Sequence, residues 1–294
     1  MYWKGNEGDI HYMKRLKYDV NEDYFEKIDC PEKAYWLGFL YADGHNTDGP
    51  LWRVTLVLQK RDTEHVRRFN TLLYPCGDKK ITFRKDGAAI ATIYSKKLCL
   101  DLAKLNVVNR KSLTITFPET SMVANDLLVY FIQGLFDGDG SVSITTKTKT
   151  PCACLDFSGS ILLIRKLNKI LKYLTGIKFG YKERTYTNTI AVSYIKGNDV
   201  VLKFMDWLYA DPTLVLPRKY QKYLDIKTIK QNTIDKKSSK YRGVYMKRGY
   251  PHAQIQIGKT VFRLGRFRTE LDAAVAYNMK AIELFRKHAK LNDL

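Results

Sequence analysis

The chain has only five cysteines in 294 residues. The odd number argues against a disulfide scaffold and for a reducing compartment. Cys152 and Cys154 form a bare C-x-C with no second pair and no histidine at ligand spacing, so a zinc site is not expected. Histidine is equally thin: His11, His45, His65, His252 and His288 are scattered, and no His-Asn-His cluster, Ser-His-Asp triad or Walker loop is present. No stretch approaches the length of a bilayer span, and the start of the chain lacks the apolar core of a secretory signal. These absences lead us to expect an intracellular protein without a membrane partner, in a bacterial or phage-infected cytoplasm or nucleoid, or in an organelle.

Acidic residues are also in deficit. Thirty Asp and Glu stand against fifty Lys and Arg, a net charge of +20. The excess is not confined to a tail, although residues 238–294 alone hold 12 Lys and Arg against 4 Asp and Glu. A basic balance spread over structured sequence fits phosphate binding with counterion release. The length leaves room for two or three domains, and an apolar content of 45% supplies their cores.

One pattern occurs twice: a hydrophobic helix with small residues four apart, ending in Ala-Asp-Gly or Gly-Asp-Gly. The first copy runs from Trp36 to Gly44 and the second from Ile132 to Gly140. Gly38 with Ala42, and Gly134 with Gly138, fall one turn apart on a single face, so the two helices can approach closely and bring Asp43 and Asp139 together. Two carboxylates at helix C-termini add to the negative ends of two dipoles, a costly arrangement unless cations sit there. Mg²⁺, with Mn²⁺ as a substitute, takes few carboxylates and fills its other positions with water and phosphate oxygen, which suits phosphodiester hydrolysis. A buried helix ending in a solvated Asp is the plainer reading of one copy, and the repeat argues against it.

The intervening pattern is α+β. Leu51 to Gln59 alternates as a strand, with Trp52, Val54, Leu56 and Leu58 inward and Arg53, Thr55, Val57 and Gln59 outward. A helix from about Asp62 to Leu73, a hairpin turning at Asp86-Gly87, and a helix from Lys97 to Leu105 follow. The second copy repeats the order, with strands Ser141 to Lys147 and Cys152 to Ser158, helices Ile161 to Leu174 and Asp199 to Tyr209, and a hairpin around Tyr186 to Asn188. Arg110-Lys111 recurs as Arg218-Lys219. We expect a first unit over 1–120, a second over 121–226, a polar linker over 227–240 and a small sheet-helix module over 241–294, with Ala253, Ile255 and Ile257 inward and a helix burying Ala273, Ala274, Ala276, Tyr277, Ala281 and Leu284.

The two motifs resemble the signature of the LAGLIDADG homing endonucleases, and the resemblance extends over roughly Tyr24 to Ile226. It implies two pseudo-symmetric αββαββα units forming a saddle over double-stranded DNA with a long, specific target, in a monomer with internal two-fold pseudo-symmetry. It further implies cleavage of both strands with divalent metals held by Asp43 and Asp139, and a Gln or Lys from strand ends near the metal waters: Gln59, Lys96 and Lys196. Arg53, Thr55, Arg84, Arg110, Lys111, Lys147, Lys182, Arg184, Arg218 and Lys219 are the expected DNA contacts. A regulator or RNA-splicing maturase on the same scaffold is the alternative.

Tyr241-Arg242-Gly243-Val244, Leu264-Gly265-Arg266-Phe267, Ala273-Ala274 with Ala276-Tyr277, and Asn292 are similar to the APETALA-type, ethylene-response-factor DNA-binding domain. The resemblance implies a three-stranded sheet in the major groove. Gln254, Gln256 and Arg263 face outward and are candidates to read bases, with Arg242, Lys247 and Arg248 on phosphate.

Overall fold

The computed structural model describes residues 19–76, 79–109, 111, 114–145, 151–184, 189–236, 239–258 and 260–294. It divides into one unit over Met1–Ile226 and another over Lys227–Leu294.

Helix α1, Pro31–Asp43, starts with proline in its first turn, where a missing N–H costs nothing, and buries every residue from Ala34 to Tyr41. Helix α4, Leu128–Asp139, is its counterpart, and a 3₁₀ turn, Asn125–Leu127, precedes it. A helix apolar on all sides must be central. The two pack backbone to backbone: a Cβ on Gly38 would lie 2.0 Å from the Phe131 carbonyl oxygen, and one on Gly134 would lie 1.9 Å from that of Tyr35. Glycine is required here for approach, not for its φ.

Each central helix runs directly into a four-stranded antiparallel sheet. The first has the order β1-β2-β4-β3, from β1 (Gly44–Thr47), β2 (Arg53–Leu58), β3 (Thr82–Phe83) and β4 (Ala89–Tyr94). Strand β2 begins one residue after Trp52, whose φ of 35° places it in the preceding turn. The second sheet repeats the order as β5-β6-β8-β7, from β5 (Gly140–Thr145), β6 (Cys152–Ser160), β7 (Gly180–Glu183) and β8 (Ile190–Lys196). The expected turn at Tyr186 to Asn188 lies outside the described residues. Helices α2 (Thr63–Leu73) and α3 (Lys96–Lys104) cover the first sheet, and α5 (Ile161–Thr175) and α6 (Asn198–Leu208) the second. Side chains of both halves form one continuous core. Helix α7, Pro217–Lys236, runs on through most of the expected linker, because residues 218–236 contain neither Gly nor Pro.

The C-terminal unit has strands β9 (Val244–Lys247), β10 (Tyr250–Ile257) and β11 (Thr260–Arg266) in the order β11-β10-β9, with helix α8, Glu270–Phe285, on one face. Thr269 and Asp272 form a reciprocal capping box at its start. Ala273, Ala274, Tyr277 and Ala281 are buried as expected, but Asn278 takes the place foreseen for Ala276, which is only half buried along with Leu284. Asn278 and Asn292 exchange two amide–backbone bonds, and the Asn292 side chain in turn brackets the backbone of Arg242. Gly243 has φ 74°, and a Cβ there would strike Tyr277 at 2.1 Å. Ile257, expected inward, is exposed at the strand end.

Candidate functional site

Asp43 and Asp139 are the last residues of α1 and α4. The close crossing continues to this end, where a Cβ on Gly138 would lie 2.2 Å from that of Ala42 and 3.4 Å from Asp43 Oδ2. Both acids are open to solvent on one side while protein crowds their carboxylates on the other. Burial raises the Asp139 pKa to about 6, the neighbouring Asp43 adds to the rise, and Lys111 and Lys219 oppose it. Asp43 is raised for the same leading reason and is opposed by Lys219, Lys111 and Arg218.

The two lysines are the principal correction to the expectations from sequence. Lys111 and Lys219, expected on DNA, are 6% and 4% exposed. Lys111 Nζ donates to the carbonyls of Ala42 (3.3 Å) and Gly44 (2.5 Å). Lys219 Nζ donates to those of Phe136 (2.5 Å), Gly138 (3.1 Å) and Gly140 (2.5 Å). Each ammonium thus binds carbonyls where a central helix passes into its first strand, among them Ala42 and Gly138 in the last turns, and places positive charge against the dipole and beside the acids. Burial lowers both lysine pKa values, that of Lys219 to about 8, against the pull of the nearby carboxylates.

Strand register sorts the other expected catalytic residues. Gly44 pairs with Leu56, and Thr47 with Arg53, which pairs in turn with Tyr94. Gln59 therefore lies at the Asp43 end of the sheet and is exposed, whereas Lys96 lies beyond Tyr94 at the other end, and Tyr94 is itself about 10 Å from the Gly44 level at the strand rise per residue. Lys196 pairs with Cys154, three residues from the Phe157 that faces Gly140, and is displaced in the same direction. Neither Lys96 nor Lys196 joins the carboxylates. By the same register Ser160 is the counterpart of Gln59, but it is buried as the N-cap of α5, so the two halves differ here.

Arg218, also expected on DNA, pairs through Nε with both oxygens of buried Asp62, at 3.0 and 3.2 Å. The outward faces of the two sheets keep Arg53 and Thr55 half exposed and Arg84, Lys182 and Arg184 exposed. Arg53 Nε is buried without a hydrogen-bond partner among the described residues. Arg110 and Lys147 lie outside the described residues.

On the C-terminal sheet, Gln254 is paired across strands with Arg263, both exposed, and Gln256 is exposed beside them, its Nε2 donating to the Gly258 carbonyl. Arg242, Lys247 and Arg248 are exposed as well. Sequence reasoning missed the aromatic part of this face: Tyr245 stacks on His252 at 5.5 Å, and Arg266 lies over the Tyr250 ring at 4.5 Å. The two-residue alternation of Tyr250, His252 and Gln254 was the available signal.

No group of three or more His, Cys, Asp or Glu that could hold a metal exists among the described residues. The donor set is two carboxylates, which fits a hard cation that keeps most of its water. No helix among the described residues is long and apolar enough to cross a membrane.

No family model matches the chain, and no curated protein matches it in sequence. Its fold is similar to the LAGLIDADG homing endonuclease I-GzeII, solved in complex with its DNA target, at 13% identity and a TM-score of 0.51, over 72% of this chain and 94% of that one. A mutant of I-SmaMI, also a LAGLIDADG homing endonuclease, is similar at 12% identity and a TM-score of 0.50, over 71% and 92%. The fold is the LAGLIDADG endonuclease fold. In that fold the paired motif helices are α1 and α4, and their sheets are the two four-stranded sheets of residues 44–94 and 140–196.

Proposed function

We propose that this protein is a site-specific double-strand DNA endonuclease. The observation that carries the reading is the pair of carboxylates, Asp43 and Asp139, delivered to one place by two helices that cross through glycine. Asp43 and Asp139 would hold divalent cations, Mg²⁺ with Mn²⁺ as a substitute, which when bound supply an activated water and a charge partner for the scissile phosphate. Lys111 and Lys219 offset the like charge of the acids and the two helix dipoles, keeping both carboxylates ionised near neutral pH. Gln59, at the Asp43 end of its sheet, would orient water beside Asp43. Arg53, Thr55, Arg84, Lys182 and Arg184 contact the duplex, and the C-terminal sheet adds recognition in the manner of the APETALA-type domain, Gln254 and Gln256 on adenine and Arg263 on guanine.

The test is cleavage of a random-site DNA library in Mg²⁺ by the wild type, Asp43→Asn and Asp139→Asn. Discrete double-strand cuts that vanish in both variants support the reading. Enrichment of bound sites without cutting, in Mg²⁺ and in Mn²⁺, would replace it with a DNA-binding regulator or a maturase.

A further inference from the structure

Asp137 lies two residues before Asp139 and is fully buried, yet the proposed reaction gives it no task. Its carboxylate accepts three hydrogen bonds: Tyr35 OH at 2.9 Å and Leu216 N at 2.7 Å on Oδ2, and Tyr209 OH at 2.8 Å on Oδ1. Leu216 is the residue whose carbonyl accepts from the amides of Lys219 (2.9 Å) and Tyr220 (3.1 Å), starting helix α7. One turn earlier on α4, Gln133 donates to the Leu214 carbonyl. The segment that delivers Lys219 to the end of α4 is therefore held by two buried side chains of α4 itself.

The first half is built differently. Tyr41 occupies the position equivalent to Asp137, its hydroxyl donates to the Leu105 carbonyl at 2.8 Å, and its ring packs edge-on against Phe131, the counterpart of Tyr35, at 4.9 Å. No carboxylate among the described residues occupies the place of Asp137 on the approach to Lys111.

The geometry points to Asp137 as a positioning residue: by fixing the Leu216 turn it places the Lys219 ammonium on the α4 carbonyls beside Asp139, a dependence that Lys111 does not share. The catalytic consequence rests on the nuclease reading; the positioning itself does not. Amine acylation of the folded full-length protein, read by mass spectrometry, tests it without DNA. Lys219 and Lys111 should both be protected in the wild type. In Asp137→Asn, and in Tyr209→Phe should the first variant fail to fold, Lys219 should label at least about tenfold faster, the shift expected from losing one hydrogen bond to a buried charge, while Lys111 stays protected. Lys219 remaining protected in both folded variants, or the two lysines opening together, would overturn the assignment. On a supercoiled plasmid carrying the target, the variant should accumulate a circle nicked in one preferred strand; equal slowing of both strands would also overturn it. A wild type that fails to cut refutes the nuclease reading and leaves the labelling result standing.

Discussion

His65 sits 2% exposed against the rings of Tyr35, Trp36 and Phe39, with Nε2 on the Tyr35 hydroxyl. Burial drives its pKa down to about 3, so the folded protein keeps the ring neutral where the unfolded chain would take a proton below about 6.5. Stability attributable to His65 is therefore present above pH 6.5 and is lost as pH falls toward the folded value, by about 1.4 kcal/mol per pH unit. Asp137, raised to about 6 mainly by burial, gains a proton in the fold first and acts in the opposite sense below that pH. The clean measurement is the difference between wild type and His65→Gln in urea melts: between pH 7 and pH 5 the wild type should lose about 2 kcal/mol relative to the variant. At this scale the sequence disclosed the two acids because their setting is repeated. It could not distinguish a lysine that caps a buried carbonyl from one that meets phosphate, and it is Lys111 and Lys219, not Lys96 and Lys196, that stand beside the acids.

The crossing of α1 and α4 is intolerant of a single methyl. Gly134→Ala would put its Cβ 1.9 Å from a backbone oxygen that no rotamer can move, and should destabilise the protein by about 3 kcal/mol or more, read as a lower urea midpoint at unchanged slope. In the C-terminal unit, Thr269→Ala removes one half of the α8 capping box and should cost about 1 kcal/mol, measured on thermal melting of that unit. The central helices were legible from their repeated apolar motif, and β2, β4 and most covering helices because burial follows the two-residue or helical period, as in the alternation of Val54, Leu56 and Leu58. Strand β1 has no apolar alternation over Gly44 to Thr47; only the repeating order of elements calls for a partner strand near Asp43 to Asp48, and it pairs there because it leaves the end of α1. Register was unreadable, and it alone decides that Gln59 and not Lys96 stands at the Asp43 end.

The charge excess belongs to the whole molecule, and so does its readout. Deleting residues 238–294 should leave cleavage intact but loosen site preference. It should also flatten the dependence of log affinity on log salt by about 0.9 for each phosphate that the shortened chain no longer neutralises, as followed by fluorescence anisotropy across a salt titration. The unequal halves of the helix crossing carry a consequence for assembly. Where Tyr35 meets Asp137, two copies of the second half would oppose Asp137 to Phe131 and strip the carboxylate of one of its three donors, at a cost of about 1–3 kcal/mol. Residues 1–120 and 121–226 produced as separate chains should thus sort into mixed pairs in native mass spectrometry, with self-pairs of the second half scarce. A duplicated sequence has become two surfaces that recognise each other better than themselves, so the covalent joint secures a choice of partner that the buried side chains already make.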